Sequence, residues 1–188
     1  MPMPYLTIQG FLNERFDAPR EVLEQGWVEA YIDEVSAGTL WIGDPLRPTA
    51  SEGCVIEVPN GFYRTEAIGL RDGHQRVIAK LRILPYDPPA SFERGPSLGE
   101  VSTLSGVIGV CDIENFATAS PARGSQEDVL SDIMYWIGQC NFGFITLRGV
   151  GTTGMSYLPI DGNGSGHVWE LWSEGRCVGM EAEFVGSP

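Results

Sequence analysis

The loop before the last two predicted strands concentrates side chains that could bind a metal ion. Asp161, Asn163 and Ser165 stand at alternate positions and Gly166 comes sixth, as in the first half of a calcium-binding loop. The twelfth position is Trp172, where that loop needs a bidentate glutamate, and the flanks have strand patterns where helices are required. We therefore take Asp161, Asn163 and Ser165 as candidate ligands of a divalent cation, with a solvated glycine-rich turn as the alternative.

A second set of candidates could perform acid and base chemistry. His167 follows the same loop and is a candidate general base. Asp44 and Asp112 each come directly after a predicted strand, and two carboxylates that converge can share proton transfer. Aspartate also suits turns and helix starts, so a structural role is the alternative for both. A carboxylate-dependent hydrolase that brings these residues together with Asp161 is one functional hypothesis.

Other catalytic classes lack the residues that they need. The chain has only two histidines, so it cannot supply a three-histidine zinc site, and its four cysteines lie far apart with no C-x-x-C pair. Ser105 and Ser165 do not stand in the serine motif G-x-S-x-G, and the nucleotide-binding signature G-x-x-x-x-G-K-[ST] is absent. We expect buried reduced thiols and no cofactor other than a divalent cation at most, and we favour a role without catalysis over the hydrolase.

The charge of the chain favours one class of partner. There are 25 acidic residues and 12 basic ones, which gives a formal net charge of -13. Such a chain repels nucleic acid and attracts basic proteins. Our leading hypothesis is an acidic binding protein that engages a basic partner, as an immunity-type antidote does. A structural oligomer is a third hypothesis, and the sequence leaves the oligomeric state open.

The sequence also predicts where the protein acts. No apolar run approaches the roughly 20 residues that span a bilayer, so we expect no membrane association. The opening MPMPYLTIQGF has neither a basic start nor a long apolar segment, so we expect no signal peptide. The predicted location is the cytoplasm.

Strands must position most of the candidate residues. Hydrophobic alternation and turn residues predict strands at 27–35, 39–42, 54–58, 62–70, 76–84, 101–110, 142–147, 155–160 and in a hairpin that ends at Phe184. The prolines of 85–96 predict a loop or an edge crossing. The hairpin turns at Ser-Glu-Gly, residues 173–175, and it should close the core with Val168, Leu171, Val178, Met180 and Phe184.

Two helices complete the prediction. A capping box at Ser125 begins a helix to Ile137, whose apolar stripe is Val129, Leu130, Ile133, Met134 and Ile137. A shorter helix is predicted between Asp17 and Gly26. We expect one domain over residues 1–188, mainly β, with about eight to ten strands in a sandwich or a partly closed barrel. An α+β arrangement is the alternative.

The order of several short motifs is also informative. Gly43-Asp44-Pro45-Leu46 is followed by Val58-Pro59-x-Gly61-x-Tyr63, by Gly109-Val-Cys111-Asp112, and by Asp161-Gly-Asn-Gly164 with its tryptophan-bearing hairpin. This order resembles an uncharacterised bacterial family of unknown function. The resemblance covers approximately residues 38–184, and it implies a mostly β domain without implying an activity.

Overall fold

Strands make up most of the regular structure. The computed structural model describes residues 28–47, 49–72, 75–114, 127–128, 130–131, 133–135, 143–147, 151–157 and 165–184. Its strands are β1 (Val28–Val35), β2 (Thr39–Gly43), β3 (Gly53–Glu57), β4 (Gly61–Asp72), β5 (Gln75–Pro85), β6 (Glu93–Val101), β7 (Ile108–Cys111), β8 (Gly143–Leu147), β9 (Gly151–Tyr157), β10 (Gly166–Ser173) and β11 (Arg176–Phe184). A 3-10 turn spans Ala50–Glu52. This is one strand more than the largest number that the sequence predicted.

The strands form two antiparallel sheets. The six-stranded sheet has the order β1-β4-β5-β11-β10-β6, and the five-stranded sheet has the order β3-β2-β7-β9-β8. Hairpins account for neighbours such as β4 and β5, whereas the connection from β5 to β6 passes two intervening strands. The prediction of a mainly β domain is confirmed, and the described strands form two open sheets and no closed barrel.

The core lies between the two sheets. Leu40 and Ile42 of the five-stranded sheet belong to the same buried cluster as Leu81 and Met180 of the six-stranded sheet. Leu40 and Ile42 are two positions apart on β2, and Leu81 is two positions from Ile83, the cross-strand partner of Met180, so each pair lies on one face of its sheet. Apolar residues at every second position of the strands therefore form the inner faces of the two sheets, and the sheets pack as a β-sandwich.

The predicted final hairpin is present as β10 and β11. Glu174 and Gly175 form its turn with φ values of 50° and 79°. Positive φ at both central residues is typical of the type I′ turn, which suits the twist of a two-residue hairpin. The predicted core residues Val168, Leu171, Met180 and Phe184 are all buried, whereas Val178 is half-buried.

One predicted strand, over residues 101–110, is interrupted. Strand β6 ends at Val101 in one sheet, and β7 begins at Ile108 in the other. Between them the backbone N–H groups of Leu104 and Ser105 donate to the Asp44 carboxylate, so they are not available to a strand ladder. The proline-rich segment, predicted as a loop or an edge crossing, is irregular only over 86–92, since Pro85 ends the central strand β5 and Pro96 lies in the edge strand β6.

The predicted helix at 125–137 is helical at its described positions, 127–128, 130–131 and 133–135. Ile133 is fully buried against Val107, and Leu130 packs beside them. Met134 was predicted to share this apolar stripe, but its side chain is 40% exposed. The predicted helix near the N-terminus lies outside the described residues. Within the described ranges there is no helix of the length and apolarity that a membrane crossing requires.

Candidate functional site

Asp44 is a buried carboxylate whose acceptor sites are filled. Its Oδ1 accepts hydrogen bonds from the Leu46 N–H at 2.9 Å and the Ser105 hydroxyl at 2.8 Å. Its Oδ2 accepts from the N–H groups of Leu104 at 3.0 Å and Ser105 at 3.1 Å. A carboxylate offers about four lone-pair sites, so little capacity is left for a substrate proton. Asp44 thus ties the loop between β6 and β7 to the end of β2.

Asp112 has a similar role at another turn. Its Oδ2 accepts from the backbone N–H groups of Ser36 at 2.9 Å and Ala37 at 2.8 Å. Its Oδ1 accepts from the Thr39 hydroxyl at 3.2 Å. Asp112 is only 3% exposed. Asp112 therefore holds the turn between β1 and β2, where Gly38 adopts a φ of +79° that favours glycine.

The two aspartates lie at opposite ends of one strand pair. Strands β2 and β7 are antiparallel, with Trp41 opposite Cys111 and Gly43 opposite Gly109. Asp44 follows β2 and Asp112 follows β7, so four residue steps, or roughly 13 Å of strand, separate them along the ladder. A single hydrolytic pocket that uses both carboxylates is therefore not formed.

His167 lies on a different sheet from both aspartates. It is half-buried on β10, and its Nε2 is 2.7 Å from the Ser97 hydroxyl oxygen. Its ring centroid is 4.6 Å from that of Trp169. Its cross-strand neighbours are Glu183 on β11 and Glu100 on β6. The imidazole and the Ser97 hydroxyl share a hydrogen bond whose donor depends on the histidine tautomer, and no aspartate of the predicted catalytic set accompanies them among the described contacts.

The candidate metal ligands are only partly described. Asp161 and Asn163 lie outside the described residues, and Ser165 is exposed immediately before β10. Over the part of the chain that the structure describes, no group of three or more His, Cys, Asp and Glu side chains is arranged to hold a metal ion. The divalent cation thus stays a prediction from the sequence.

Each aspartate instead braces the wall of a surface cavity. The first cavity, named here the Asp112 cavity, has a volume of about 410 Å³ and is lined by Ala37, Gly38, Thr39, Glu57, Val58, Pro59 and Glu114. Its two turns are joined by a hydrogen bond of 2.8 Å from the Val58 N–H to the Gly38 carbonyl. The Tyr63 hydroxyl braces the same wall by donating to the Pro59 carbonyl at 2.9 Å.

The Asp112 cavity is acidic. Glu57 and Glu114 are both exposed carboxylates, and the described lining contains no lysine or arginine. Val58 and Pro59 supply apolar surface beside them. An apolar wall with carboxylates at its margin suits the long stem and charged head of a basic side chain.

The second cavity has a basic residue in its lining besides carboxylates. Named here the Asp44 cavity, it has a volume of about 320 Å³ and is lined by Asp44, Arg47, Ser51, Glu52, Gly53, Glu100, Val101, Ser102 and Leu104. Arg47 forms an ion pair of 3.8 Å with Glu52 within this lining. Since Gly53 begins β3 and Glu57 ends it, the two cavities lie at opposite ends of that strand.

Ion pairs hold four of the five basic residues of the six-stranded sheet whose side chains are described. On its outer face, which is the face turned away from the core, Glu66 binds Arg64 at 2.6 Å and also Arg82. Arg94 binds Glu181 and lies 2.8 Å from Glu183, which also binds Lys80 at 3.2 Å. Of the six basic residues whose side chains are described, five pair with a glutamate: Arg47, Arg64, Lys80, Arg82 and Arg94.

An aromatic pair is exposed at one end of this outer face. Phe62 is 61% exposed and Tyr86 is 48% exposed. Their backbones are joined by a hydrogen bond of 2.8 Å from the Tyr86 N–H to the Phe62 carbonyl. Glu34 is opposite Phe62 on β1, and the exposed Asp87 follows Tyr86. We call Glu34, Phe62, Tyr86 and Asp87 the Phe62 surface. Along the chain, Glu34 lies three residues before Ala37 of the Asp112 cavity, and Phe62 lies three residues after Pro59 of the same cavity.

Comparisons with known proteins add no family to this geometry. No family model, no curated protein and no solved structure matches the chain. The resemblance to a bacterial family of unknown function stays a prediction. The arrangement must therefore be interpreted from its own residues.

Sequence reasoning did not find the Asp112 cavity or the Phe62 surface. The cavity combines turns of two strand connections, which only the strand order brings together. The aromatic surface had a signal, because Phe62 and Tyr63 are consecutive in a predicted strand and must lie on opposite faces. The pattern did not decide which of the two rings would be outside.

Proposed function

We propose that the protein is a binding protein for a basic partner. The observation that carries this proposal is that internal ion pairs occupy most of the described basic residues. Five of the six whose side chains are described are held in internal ion pairs, whereas the carboxylates of Glu57 and Asp87 have no cationic partner among the described residues. The surplus acid thus meets solvent around the Asp112 cavity and the Phe62 surface.

The exposed aromatic residues support a protein partner. Binding energy at protein interfaces is concentrated in a few aromatic and arginine contacts, with a polar rim around them. Phe62 and Tyr86 provide such a centre, and the rim around them includes the carboxylate of Asp87 and also Arg64, which donates to the Tyr86 carbonyl at 3.4 Å. A surplus of carboxylates also accelerates the encounter with a basic partner. A stoichiometric complex of this kind is how an immunity-type antidote neutralises a basic protein.

The cysteines support a reducing compartment. Cys54 and Cys111 are buried free thiols and Cys177 is a half-buried one. Burial raises the pKa of the Cys54 thiol, which keeps it protonated and unreactive. Free thiols persist where disulfide formation is disfavoured. We propose that the protein acts in the cytoplasm.

The test is direct binding to purified basic proteins. Titration calorimetry with a basic protein, and with an acidic protein of equal size as control, should give a one-to-one complex with the basic protein only. The affinity should fall steeply between about 0.01 M and about 1 M salt, since the Debye length contracts from roughly 30 Å to roughly 3 Å. Capture from a lysate followed by sizing then identifies the natural partner.

A matched pair of variants separates local charge from net charge. Glu57→Gln and Glu100→Gln each remove one exposed strand carboxylate, but Glu57 lines the Asp112 cavity and Glu100 lines the Asp44 cavity. We expect Glu57→Gln to weaken binding more than Glu100→Gln does. Equal affinities for the acidic and basic proteins, or no binding at the lower salt concentration, would refute the proposed function.

A further inference from the structure

Ser97 stands in a glycine-flanked serine motif on the edge strand β6. The sequence Gly95-Pro-Ser97-Leu-Gly99 fits G-x-S-x-G. Hydrolases with that motif place it on a sharp turn from a strand to a helix, whereas here it lies within a strand. Both glycines have a local reason, because a Cβ at Gly95 would collide with the Trp172 ring and Gly99 has a φ of +106°. The motif therefore exposes Ser97 by a different backbone path.

That backbone path is a β-bulge. Val168 and Trp169 are consecutive on β10, but their partners on β6 are Gly99 and Ser97, so Leu98 is an extra residue. The Leu98 side chain packs against the core, and the Ser97 side chain is exposed. Bulges re-aim side chains and are over-represented next to active sites. The bulge thus turns the serine out of the regular ladder and leaves it open to solvent.

Ser97 and His167 have the geometry of a nucleophile and its base. The Ser97 Oγ lies 2.7 Å from Nε2 of His167, and the Gly99 N–H donates to the same oxygen at 3.1 Å. In the tautomer with its proton on Nδ1, the imidazole accepts the serine hydroxyl hydrogen at Nε2. A hydroxyl and a base at about 2.6–3.2 Å are typical of an activated nucleophile. The Gly99 N–H adds a donor that stabilises negative charge developing on Oγ.

Carboxylates flank the imidazole on both sides. Glu183 on β11 and Glu100 on β6 are the cross-strand neighbours of His167. Directly opposed residues have Cβ atoms about 5 Å apart, so both carboxylates are within reach of the ring. Ion pairs of 2.8 Å with Arg94 and 3.2 Å with Lys80 fix the Glu183 carboxylate. The negative charges favour the separation of charge that follows when His167 takes a proton.

We propose that Ser97 is a nucleophile that takes an acyl group from an activated ester, with His167 as its general base. The Oγ forms a bond to the carbonyl carbon while Nε2 takes the hydroxyl proton. The bond from that carbon to the ester oxygen then breaks, the leaving alcohol or phenol recovers the proton from His167, and the acyl group stays on Ser97. An ester with a good leaving group suits an open site, because its departure needs little assistance.

The experiment treats the protein with p-nitrophenyl acetate and locates the acetyl groups by quantitative peptide mass spectrometry. Ser97 should be acetylated, whereas Ser102 should stay unmodified. Ser102 is the matched serine, because it is exposed just after β6 and forms no side-chain hydrogen bond with a described residue. Since both serines belong to one folded protein, this comparison needs no variant.

His167→Gln tests the base. Glutamine can still form a hydrogen bond with Ser97 but cannot take its proton, so acetylation of Ser97 should slow by about 100-fold or more. In the wild type this rate should rise between about pH 5 and pH 8, where histidines lose their proton, and the rise should be absent in His167→Gln. Ser102→Ala is the control variant and should keep the wild-type rate. Melting temperatures verify that each variant is folded.

Each outcome decides the proposal. Acetylation of Ser97 that exceeds that of Ser102, rises with pH and is lost in His167→Gln supports the nucleophile. Equal acetylation of the two serines, no acetylation of either, or a rate that ignores pH or the loss of His167 overturns it. If His167→Gln is unfolded, the wild-type comparison and its pH profile still decide. The site lies outside the Asp112 cavity and the Phe62 surface, so its failure leaves the binding function to its own test by calorimetry.

Discussion

Asp44 and Asp112 make the same kind of contact at opposite ends of the β2–β7 ladder. Each directly follows its strand, each is buried, and each accepts backbone N–H groups from a loop distant in the sequence. Charge-assisted hydrogen bonds of this type order loops, because the carboxylate replaces the ladder partners that the loop lacks. The two aspartates therefore position the two cavities and are not themselves an acid and base pair.

Substitution of either aspartate by asparagine should destabilise the fold. In Asp44→Asn or Asp112→Asn an NH₂ group faces backbone N–H donors, or else a different hydrogen bond is lost. Each change should lower the free energy of unfolding by about 1–3 kcal/mol. Urea unfolding measures this effect, and Asp87→Asn, at an exposed position, should change it by less than about 0.5 kcal/mol.

The double variant distinguishes two structural roles from one shared site. Groups more than about 10 Å apart with no common partner usually contribute additively. The losses in Asp44→Asn and Asp112→Asn should therefore sum to within about 0.5 kcal/mol. A much larger coupling energy would mean that the two carboxylates share an environment.

The helical segment should depend on Ile133 and little on Met134. Ile133 is fully buried against Val107, whereas Met134 is 40% exposed. Ile133→Ala should cost about 2–5 kcal/mol, because it removes buried apolar surface and leaves a cavity. Met134→Ala should cost less than about 1 kcal/mol. Thermal or urea unfolding of both variants measures the difference, and equal losses would contradict the observed orientation.

The sequence could predict the elements that depend on local pattern. The final hairpin follows from alternation and from Glu174-Gly175, and its core residues Val168 and Met180 follow from the period of two. The position of Asp44 and Asp112 at strand ends was likewise predictable. The segment at 101–110 was wrong as one strand, because a distant carboxylate competes there for the backbone N–H groups.

The site depends on contacts that local pattern does not encode. Whether Asp44 and Asp112 meet is decided by the pairing of β2 with β7, which lie far apart in the chain. Pairing of β4 with β1 and β5 decides that Phe62, and not Tyr63, faces outward beside Tyr86. Strand order is set by the summed packing of the whole core, so no single stretch of sequence reveals it.

Acid should weaken the ion pairs of the outer face through Glu183. Hydrogen bonds from Arg94 are the largest cause that holds the pKa of Glu183 below its ordinary value of 4.5. A carboxylate whose pKa is lowered in the folded state stabilises the fold above pH 4.5. This contribution is lost as the pH falls through the pKa of the folded state. Glu183→Gln should therefore flatten the decline of the free energy of unfolding below about pH 4.5.

The matched variant for this acid effect is Glu57→Gln. Glu57 is exposed and forms no ion pair with a described residue, so its removal should keep the wild-type slope. Urea unfolding across the acid range compares the three proteins. A Glu183→Gln protein with the wild-type slope would show that the links to Arg94 and Lys80 do not stabilise the fold in solution.

Alkali should act through Tyr63, which braces the Asp112 cavity. Burial is the largest cause that raises the pKa of Tyr63 from 10.0 to about 12. The unfolded chain ionises first, so the stability from the neutral phenol is complete below pH 10 and is lost as the pH rises towards 12. Tyr63→Phe removes the hydrogen bond to Pro59, so its free energy of unfolding at neutral pH should be lower by about 0.5–1.5 kcal/mol. In an ultraviolet titration of tyrosinate, the variant should lack one step at high pH. If the step that is lost in Tyr63→Phe lies near pH 10 and not near pH 12, the phenol is hydrated, and the wall of the cavity at Pro59 lacks its brace.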